Sequence, residues 1–190
     1  MVILHNEVVR LEPIERAHIK GIYEAAHDER IWAHTTMNLM TKEAVENYVD
    51  ATIEKRLAGT AFTFTIIDEA TKKVIGTTTL FDIDNTHKRL EIGFTWLTLA
   101  YWGTAINTNC KYLLLAYCFE QLAMNRVQLK TDNENIRSQQ AIERIGAKKE
   151  GILRNHMVRK NGTLRHSHLY SITIEEWSQV KDNFQQKLLK

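Results

Sequence analysis

Leu97-Thr98-Leu99-Ala100-Tyr101-Trp102-Gly103-Thr104-Ala105-Ile106-Asn107 is the stretch whose reading decides the fold. It starts at the end of an aromatic and β-branched run, Arg89 to Leu97, which the residue types predict as a strand. It turns through Gly103 and enters Ala105 to Leu122, long enough for a helix of several turns. Gly103 and Ala105 carry no bulky side chain, so the backbone can come close to a ligand. The first N–H groups of a helix lack partners and sit at the positive end of its dipole, which makes this turn a ready site for a pyrophosphate. An ordinary strand-to-helix turn has the same pattern, and one glycine does not separate the two readings. No Gly-Lys-Ser/Thr occurs in the chain and the three-glycine spacing is missing, so the loop is neither a P-loop nor a dinucleotide fingerprint.

Outward from this loop, Arg126 to Thr131 reads as the next strand, and strand–helix–strand implies a parallel pair with a right-handed crossover. Asp132 to Asn135 is a loop and Ile136 to Ile145 a helix, with Gly146 placed to cap its C-terminus. Ala147 to Lys160 and Thr163 to Ile174 flank Asn161-Gly162, a strong hairpin signal, and Glu175 to Lys190 closes as a helix. Upstream, Val8 to Leu11 is a short strand, and Pro13 precedes a helical stretch with Ile19, Ile22, Tyr23 and Ala26 in period. Thr41 can cap a second helix carrying Val45, Tyr48, Val49 and Ile53 on one face. Phe62, Phe64 and Ile66 alternate with Thr63, Thr65 and Ile67, a strand with an apolar and a polar side. Asp68 to Lys73 is a turn, and Val74 to Phe81 a further strand. The order β-α-α-β-β-β-α-β-α-β-β-α predicts an α+β fold with a mixed sheet of about seven strands and helices on both faces.

Composition agrees with one domain over residues 1–190: 44% of the residues are apolar, 25% are charged, and a single proline leaves no linker. The 25 basic and 23 acidic residues give a net charge of +2, which excludes a polybasic or acidic tail. The total hides a split. Met1 to Asn125 carries 12 basic and 16 acidic residues, whereas Arg126 to Arg165 carries 10 and 4, a net of +6 over that stretch. Such a stretch can attract a phosphate-rich ligand or form ordinary solvated faces. The start, Met1-Val2-Ile3-Leu4-His5-Asn6-Glu7, lacks the pattern of a signal peptide. Tyr112 to Phe119 is too short to span a bilayer. Cys110 and Cys118 on one helix would lie roughly 12 Å apart, too far for a disulfide. Asn161-Gly162-Thr163 reads as a turn rather than a glycosylation site. The expectation is a soluble, cytoplasmic protein.

The element order, the central loop, and Asn133-Glu134-Asn135-Ile136-Arg137-Ser138-Gln139-Gln140-Ala141-Ile142-Glu143-Arg144-Ile145-Gly146-Ala147 together resemble the GNAT superfamily of acyl-CoA-dependent N-acetyltransferases. More narrowly the chain resembles its RimJ/RimL branch, which acetylates protein N-terminal amines. The likeness covers nearly the whole chain and is carried further by Glu91-Ile92-Gly93-Phe94-Thr95-Trp96-Leu97 and Glu150-Gly151-Ile152-Leu153-Arg154. It implies a GNAT fold and acetyl-CoA as cofactor. The superfamily's phosphate loop, Arg/Gln-x-x-Gly-x-Gly/Ala, falls on Ala100, Tyr101, Trp102, Gly103, Thr104 and Ala105, followed by Ile106 and Asn107. The leading Arg/Gln is Ala100, so phosphate binding would rest mainly on backbone N–H groups.

The resemblance further implies that the backbone of Trp96 and Leu97 holds the pantetheine arm between two splayed strands, with an N–H near Leu97 facing the thioester oxygen. Asn135 matches the family asparagine that touches the pantetheine, and Ser138 would lie near the sulfur. The tyrosine that many members use to protonate the leaving thiolate is here Ile142, which has no proton to give. Ser138 is then the nearest hydroxyl by position, for thiolate stabilisation or merely for capping the helix. Glu91, starting the central strand, and His156, with an intrinsic pKa suited to the task, are the candidates for general base; His156 also reads as a surface histidine. Trp32 and His34 fall where the family builds its acceptor cleft with the late hairpin, so Trp32, His34 and His156 are the candidate acceptor contacts; Trp32 is also readable as core. His166 and His168 share a strand face, but no further ligands join them and no metal is expected.

The first functional reading is an N-acetyltransferase that moves acetyl from acetyl-CoA to a primary amine, peptide or small molecule, by direct attack in a ternary complex. The second is an acyl-CoA-binding protein with little catalysis, motivated by the missing Arg/Gln and tyrosine. The basic stretch lacks interleaved aromatics, so nucleic acid is not expected as a partner, nor is a membrane. Homodimers are common in the resembling family.

Overall fold

The structure, a computed structural model, describes residues 2–189; Met1 and Lys190, the two ends of the expected span, lie outside the described residues. An eight-stranded sheet runs in the order β1-β2-β3-β4-β5-β6-β8-β7. Its strands are β1 (Leu4–His5), β2 (Val9–Pro13), β3 (Ala61–Asp68), β4 (Val74–Asp84), β5 (Arg89–Leu97), β6 (Arg126–Asp132), β7 (Lys148–Val158) and β8 (Leu164–Thr173). The helices are α1 (Ile19–Ala25), α2 (Lys42–Leu57), α3 (Ala105–Ala116), α4 (Ile136–Arg144) and α5 (Ile174–Asn183). The expected count of seven strands is thus one short. β1 has only two residues, too few to show a period, and exists because it pairs with Arg10 and Leu11 of β2. Pro13 lies inside β2 rather than directly before a helix; a 3-10 turn, Arg16–His18, intervenes before α1. The expected helix to Leu122 leaves α geometry at Ala116 and finishes as a π-helical turn, Tyr117–Gln121.

The helix ends follow local chemistry. Thr41 Oγ1 accepts from Ala44 N–H and opens α2. Thr104 does the same for Ile106 N–H at α3, and Asn135 for Ser138 N–H at α4. Gly146 closes α4 at φ +93°, a left-handed conformation that disfavours side chains.

Two apolar clusters cover the sheet. One joins Leu11, Ile66, Leu90, Leu129 and Tyr170 of the sheet to Ile106, Cys110 and Leu114 of α3, Ile142 of α4, and Trp177 and Phe184 at the C-terminal end. The other joins Ile22 of α1, Val45 and Val49 of α2, and Trp32 to Trp96 of β5. The polar side of β3 does not face water as its alternation suggests. Thr63 and Thr65 are buried beneath α1 and α2, and they satisfy their hydroxyls on Thr79 Oγ1 (3.0 Å) and His18 Nδ1 (3.2 Å). Tyr48 of α2 reaches Thr77 Oγ1 in the same layer at 2.9 Å.

All neighbouring strands pair antiparallel except β5 and β6. That parallel pair is short: register runs only from Arg89 opposite Arg126 to Glu91 opposite Gln128. Beyond Glu91 the strands part. The cause lies on the other edge of β5, where Thr77 faces Trp96 but Thr79 faces Gly93, so β5 carries one extra residue. The extra residue shows as Phe94 at φ +48°, a β-bulge that bends β5 away from β6.

The approach of β4 to β5 at the top of this bend depends on Gly76, where a Cβ would overlap the carbonyl oxygen of Trp96. Gly76→Ala should lower stability by about 1–3 kcal/mol, the overpacking range, and toward its upper end, because the clash is with backbone rather than a movable side chain. Gly151, which has open space around its Cα, should accept alanine with little change. Urea unfolding midpoints of the two variants check both statements.

Candidate active site

The parting of β5 and β6 opens a cavity of about 800 Å³, within the range of small-molecule sites. Gly93 to Leu97 form one edge and Leu129 to Asp132 the other; Asn107 and Lys111 of α3 and Ser138, Ala141 and Ile142 of α4 close it. Five basic side chains line it, Lys111, Lys130, Arg137, Arg144 and Arg165, against the two acids Glu91 and Asp132. This excess of positive charge suits a polyanion.

One end of the cavity is the loop between β5 and α3. Tyr101, Trp102, Gly103 and Thr104 line it. Gly103 has φ +75° and nothing near its Cα, so its backbone is open to a ligand. The loop is held from behind: Tyr101 OH donates to Asp68 Oδ2 (2.9 Å), and Trp102 Nε1 donates to the Leu97 carbonyl (2.9 Å). The second bond also fixes a direction. Thr98 N–H donates to Ile75 O of β4, so the alternating main chain of Leu97 faces the gap. Trp96, by the same alternation, turns its carbonyl to Gly76. Its indole tilts against Trp32 at 5.1 Å between centroids, and Nε1 is buried without a partner.

Arg137, from the first turn of α4, lays its guanidinium over the Trp102 ring, 3.2 Å from the centroid. Burial against that ring lowers its pKa from the usual arginine value. A positive group therefore stands at the loop where Ala100 offers none.

The opposite end begins where the strands part. Glu91, 3% exposed, is held by Gln128 Nε2 (2.9 Å) and Lys130 Nζ (2.8 Å). Between Leu153 and Met157 the register of β7 shifts, and Asn155 sits at φ +51°. His156 lies in this irregular stretch and lines the cavity, its Nδ1 3.0 Å from Ser167 Oγ. Desolvation, then the charges of Lys130 and Arg165, lower the His156 pKa against the opposing pull of Glu91. His34 lines the cavity from the segment between α1 and α2, and Lys160 ties that segment to the hairpin by donating to the Met37 carbonyl (2.8 Å). Asp132 anchors the wall: Arg159 binds it through Nη2 (2.7 Å) and Nε (2.9 Å).

The structure thus brings Glu91, Trp96, Leu97, Tyr101 to Thr104, Asn107, Asn135, Ser138, His34 and His156 around one cavity. Trp32 is not on its wall. It is 3% exposed, bonded through Nε1 to the Ala26 carbonyl (3.1 Å) and packed in the core under α1 and α2. Ile106 also turns into the core, and Ala100 and Ala105 place no side chain on the wall. The carbonyl oxygen of the Asn135 side chain is engaged in capping α4, which leaves its amide hydrogens for a ligand. Lys111, Lys130, Arg137 and Arg165 were not singled out by motif. A lysine within the otherwise uncharged α3 segment Ala105–Ala116 is the one signal among these that the sequence carries.

Residues 9–148 match the family model described as the acetyltransferase (GNAT) domain. An N-acetyltransferase of Bacillus licheniformis named p20 is 33% identical over 122 residues, 64% of this chain and 67% of that protein. A Bacillus subtilis protein provisionally named a ribosomal N-acetyltransferase, YdaF, is 32% identical over 56% of this chain; the match spans 57% of its length. The crystal structure of a GCN5-related N-acetyltransferase from Brucella melitensis superposes with a TM-score of 0.91 at 29% identity, covering 98% of this chain and 85% of the other.

Asp132 gives the wall a measurable pH dependence. Burial raises its carboxyl, but Arg159, the Glu134 N–H and Arg165 outweigh burial and hold it below the ordinary range. Its contribution to stability is therefore present above an unfolded value near 3.9 and lost as pH falls through the lower folded value. Asp132→Asn should lower the urea midpoint at neutral pH, and the deficit against wild type should close as the solution is acidified below about pH 4.

Proposed function

The chain belongs to the GNAT acetyltransferase family and is an N-acetyltransferase; on that premise we propose that it carries acetyl from acetyl-CoA to a primary amine, a protein N-terminal α-amine or a small-molecule amine, by direct attack in a ternary complex. One observation carries the reading: the gap between β5 and β6 has a phosphate-loop geometry at one end and a carboxylate–imidazole pair at the other. The basic lining, the open backbone at Gly103 and the unpaired strand edges fit an extended molecule with phosphates at one end. The buried free thiols Cys110 and Cys118 fit a reducing compartment such as the cytoplasm.

Acetyl-CoA supplies the acetyl group activated as a thioester. The chain's residues bind and orient it. The N–H groups from Gly103 to Ala105, with Arg137 and Arg144, hold the phosphates. Arg137 takes over from the Arg/Gln missing at Ala100, and its stacking on Trp102 sets its position before ligand arrives. The gap-facing main chain of Leu97 and the amide of Asn135 hold the arm.

At the acceptor end, His156 is the base. Its Nδ1 meets Ser167 Oγ, and in the tautomer whose Nδ1–H donates there, Nε2 is the acceptor. Its lowered pKa keeps it neutral at physiological pH, ready to take the amine's proton. Glu91, fixed by Gln128 and Lys130, draws the acceptor ammonium to this end. Neither cysteine lies on the cavity wall, and attack proceeds without a covalent enzyme intermediate.

Incubation with acetyl-CoA and a panel of amines, read by free-thiol release, tests the activity. The likeness to YdaF puts N-terminal peptides of ribosomal proteins first, with polyamines and amino sugars after. His156→Ala should lower kcat by about 10²–10⁴ with little change in CoA affinity. The acid limb of kcat/KM in wild type should fall below about pH 6.5, the ordinary histidine value. Tight CoA binding without turnover across the panel would reduce the chain to a CoA-binding protein. Calorimetry tests the phosphate end: CoA affinity should fall as salt rises, and Arg137→Ala should weaken binding and flatten that slope. A salt-independent affinity would leave the basic lining without a role in binding.

A further inference from the structure

Lys111 is unexplained by the mechanism so far. It sits on the buried side of α3, 7% exposed, immediately after the fully buried Cys110. Its Nζ donates to Thr95 Oγ1 at 2.7 Å, and no carboxylate pairs with it among the described residues. Thr95 is itself satisfied by Thr78 Oγ1 (2.8 Å), so it is a neutral partner and supplies no counter-charge. The Cys110 thiol, pushed up to about 12 by burial, stays neutral as well. An ammonium removed from water without an opposite charge costs several kcal/mol, and a hydrocarbon of the same length would fill the place at no such cost.

The place has a second property. Lys111 lies on the wall of the β5–β6 gap, six residues or about 9 Å along α3 from its first residue, Ala105. Its partner Thr95 lies on β5 between Glu91 and the loop that follows Leu97, so Lys111 stands between those two ends. The same cavity wall carries the hydroxyls of Thr95 and Ser138 and the hydrocarbon of Ile142. Lys111 is the charged group nearest to Thr95, at the bulge where β5 turns away from β6. Burial lowers its pKa to about 8, so the ammonium gives up its proton more readily than an ordinary lysine.

Resting on the acetyl-transfer reading, we propose that Lys111 is the acid of the reaction, the group that gives a proton to the departing CoA sulfur. The acceptor nitrogen forms its bond to the thioester carbonyl carbon, and the carbon–sulfur bond breaks with its electron pair on sulfur. The sulfur takes a proton from Lys111 Nζ, which becomes a neutral amine. The acceptor arrives as an ammonium and its nitrogen loses two protons: one passes to solvent before attack, and the other, released as the amide forms, sits on His156. Exchange with solvent through the open cavity returns His156 and Lys111 to their starting states.

The decisive measurement is the ionisation of the CoA thiol bound to the enzyme, followed by thiolate ultraviolet absorbance against pH. An ammonium beside the sulfur lowers the bound thiol's pKa by about 1–3 units relative to free CoA, and Lys111→Met abolishes that shift. Methionine is nearly isosteric and removes a buried charge, so the variant folds. In turnover, Lys111→Met lowers kcat by about 10²-fold or more and removes the fall of kcat expected of wild type above about pH 8. A bound thiol that titrates as free CoA does in wild type, or identically in wild type and variant, overturns this proposal and leaves acetyl transfer standing. Failure of CoA to bind either protein overturns both.

Discussion

The separation of β5 from β6 after Glu91 is the constraint on which the rest depends. A parallel pair that stayed in register would satisfy its backbone groups internally and leave no room for a ligand. The extra residue at Phe94 breaks that register and bends the strand, and Gly76 lets β4 follow the bend by admitting the Trp96 carbonyl. Unpaired N–H and C=O groups then line a gap inside the sheet, where burial makes an unsatisfied polar group expensive. An extended ligand that adds as a strand relieves that cost. The bend is thus both the local defect of the sheet and the opening that the proposed function assigns to CoA.

Charge follows from the same geometry. The net +6 between Arg126 and Arg165 is not spread over solvated faces alone. Part of it is consumed in pairs: Arg126 with Glu150, Lys148 with Glu176, Arg159 with Asp132 and Glu134, and Lys130 with Glu91. Arg165 stands 3.9 Å from Asp132, while Arg137 and Arg144 remain on the wall of the gap, joined by Lys111 from the acidic part of the chain. The positive field in the cavity is therefore local and set by a few side chains. A total of +2 for the whole chain conceals it.

Much of this was legible from the residues. The β5 boundaries, the caps at Thr41 and Gly146, the parallel crossover and the hairpin at Asn161-Gly162 come from local rules of period and turn chemistry, which act over a few residues. Two features were not legible for one shared reason: each is fixed by a partner distant in the chain. β1 is a strand because β2 is beside it. The threonines of β3 are buried because α1 and α2 lie across them. Trp32 was readable as core, and the packing of Trp96 against it decides for that reading over the acceptor contact.

The sequence by itself determined the element order, the loop at Gly103 with the helix behind it, and the absence of an arginine or glutamine at Ala100 and of a tyrosine at Ile142. These are properties of residue type and spacing. Only the tertiary structure decided which side chains from other elements come near the loop and the gap. Arg137 reaches the loop by lying on Trp102, and Lys111 reaches the gap by lying under Thr95. Neither approach has a signature in spacing, because each joins side chains from separate elements whose relative position is set by packing of the core. The register break in β5 is likewise a matter of how two edges of one strand are paired, and pairing is a property of the folded sheet rather than of the strand.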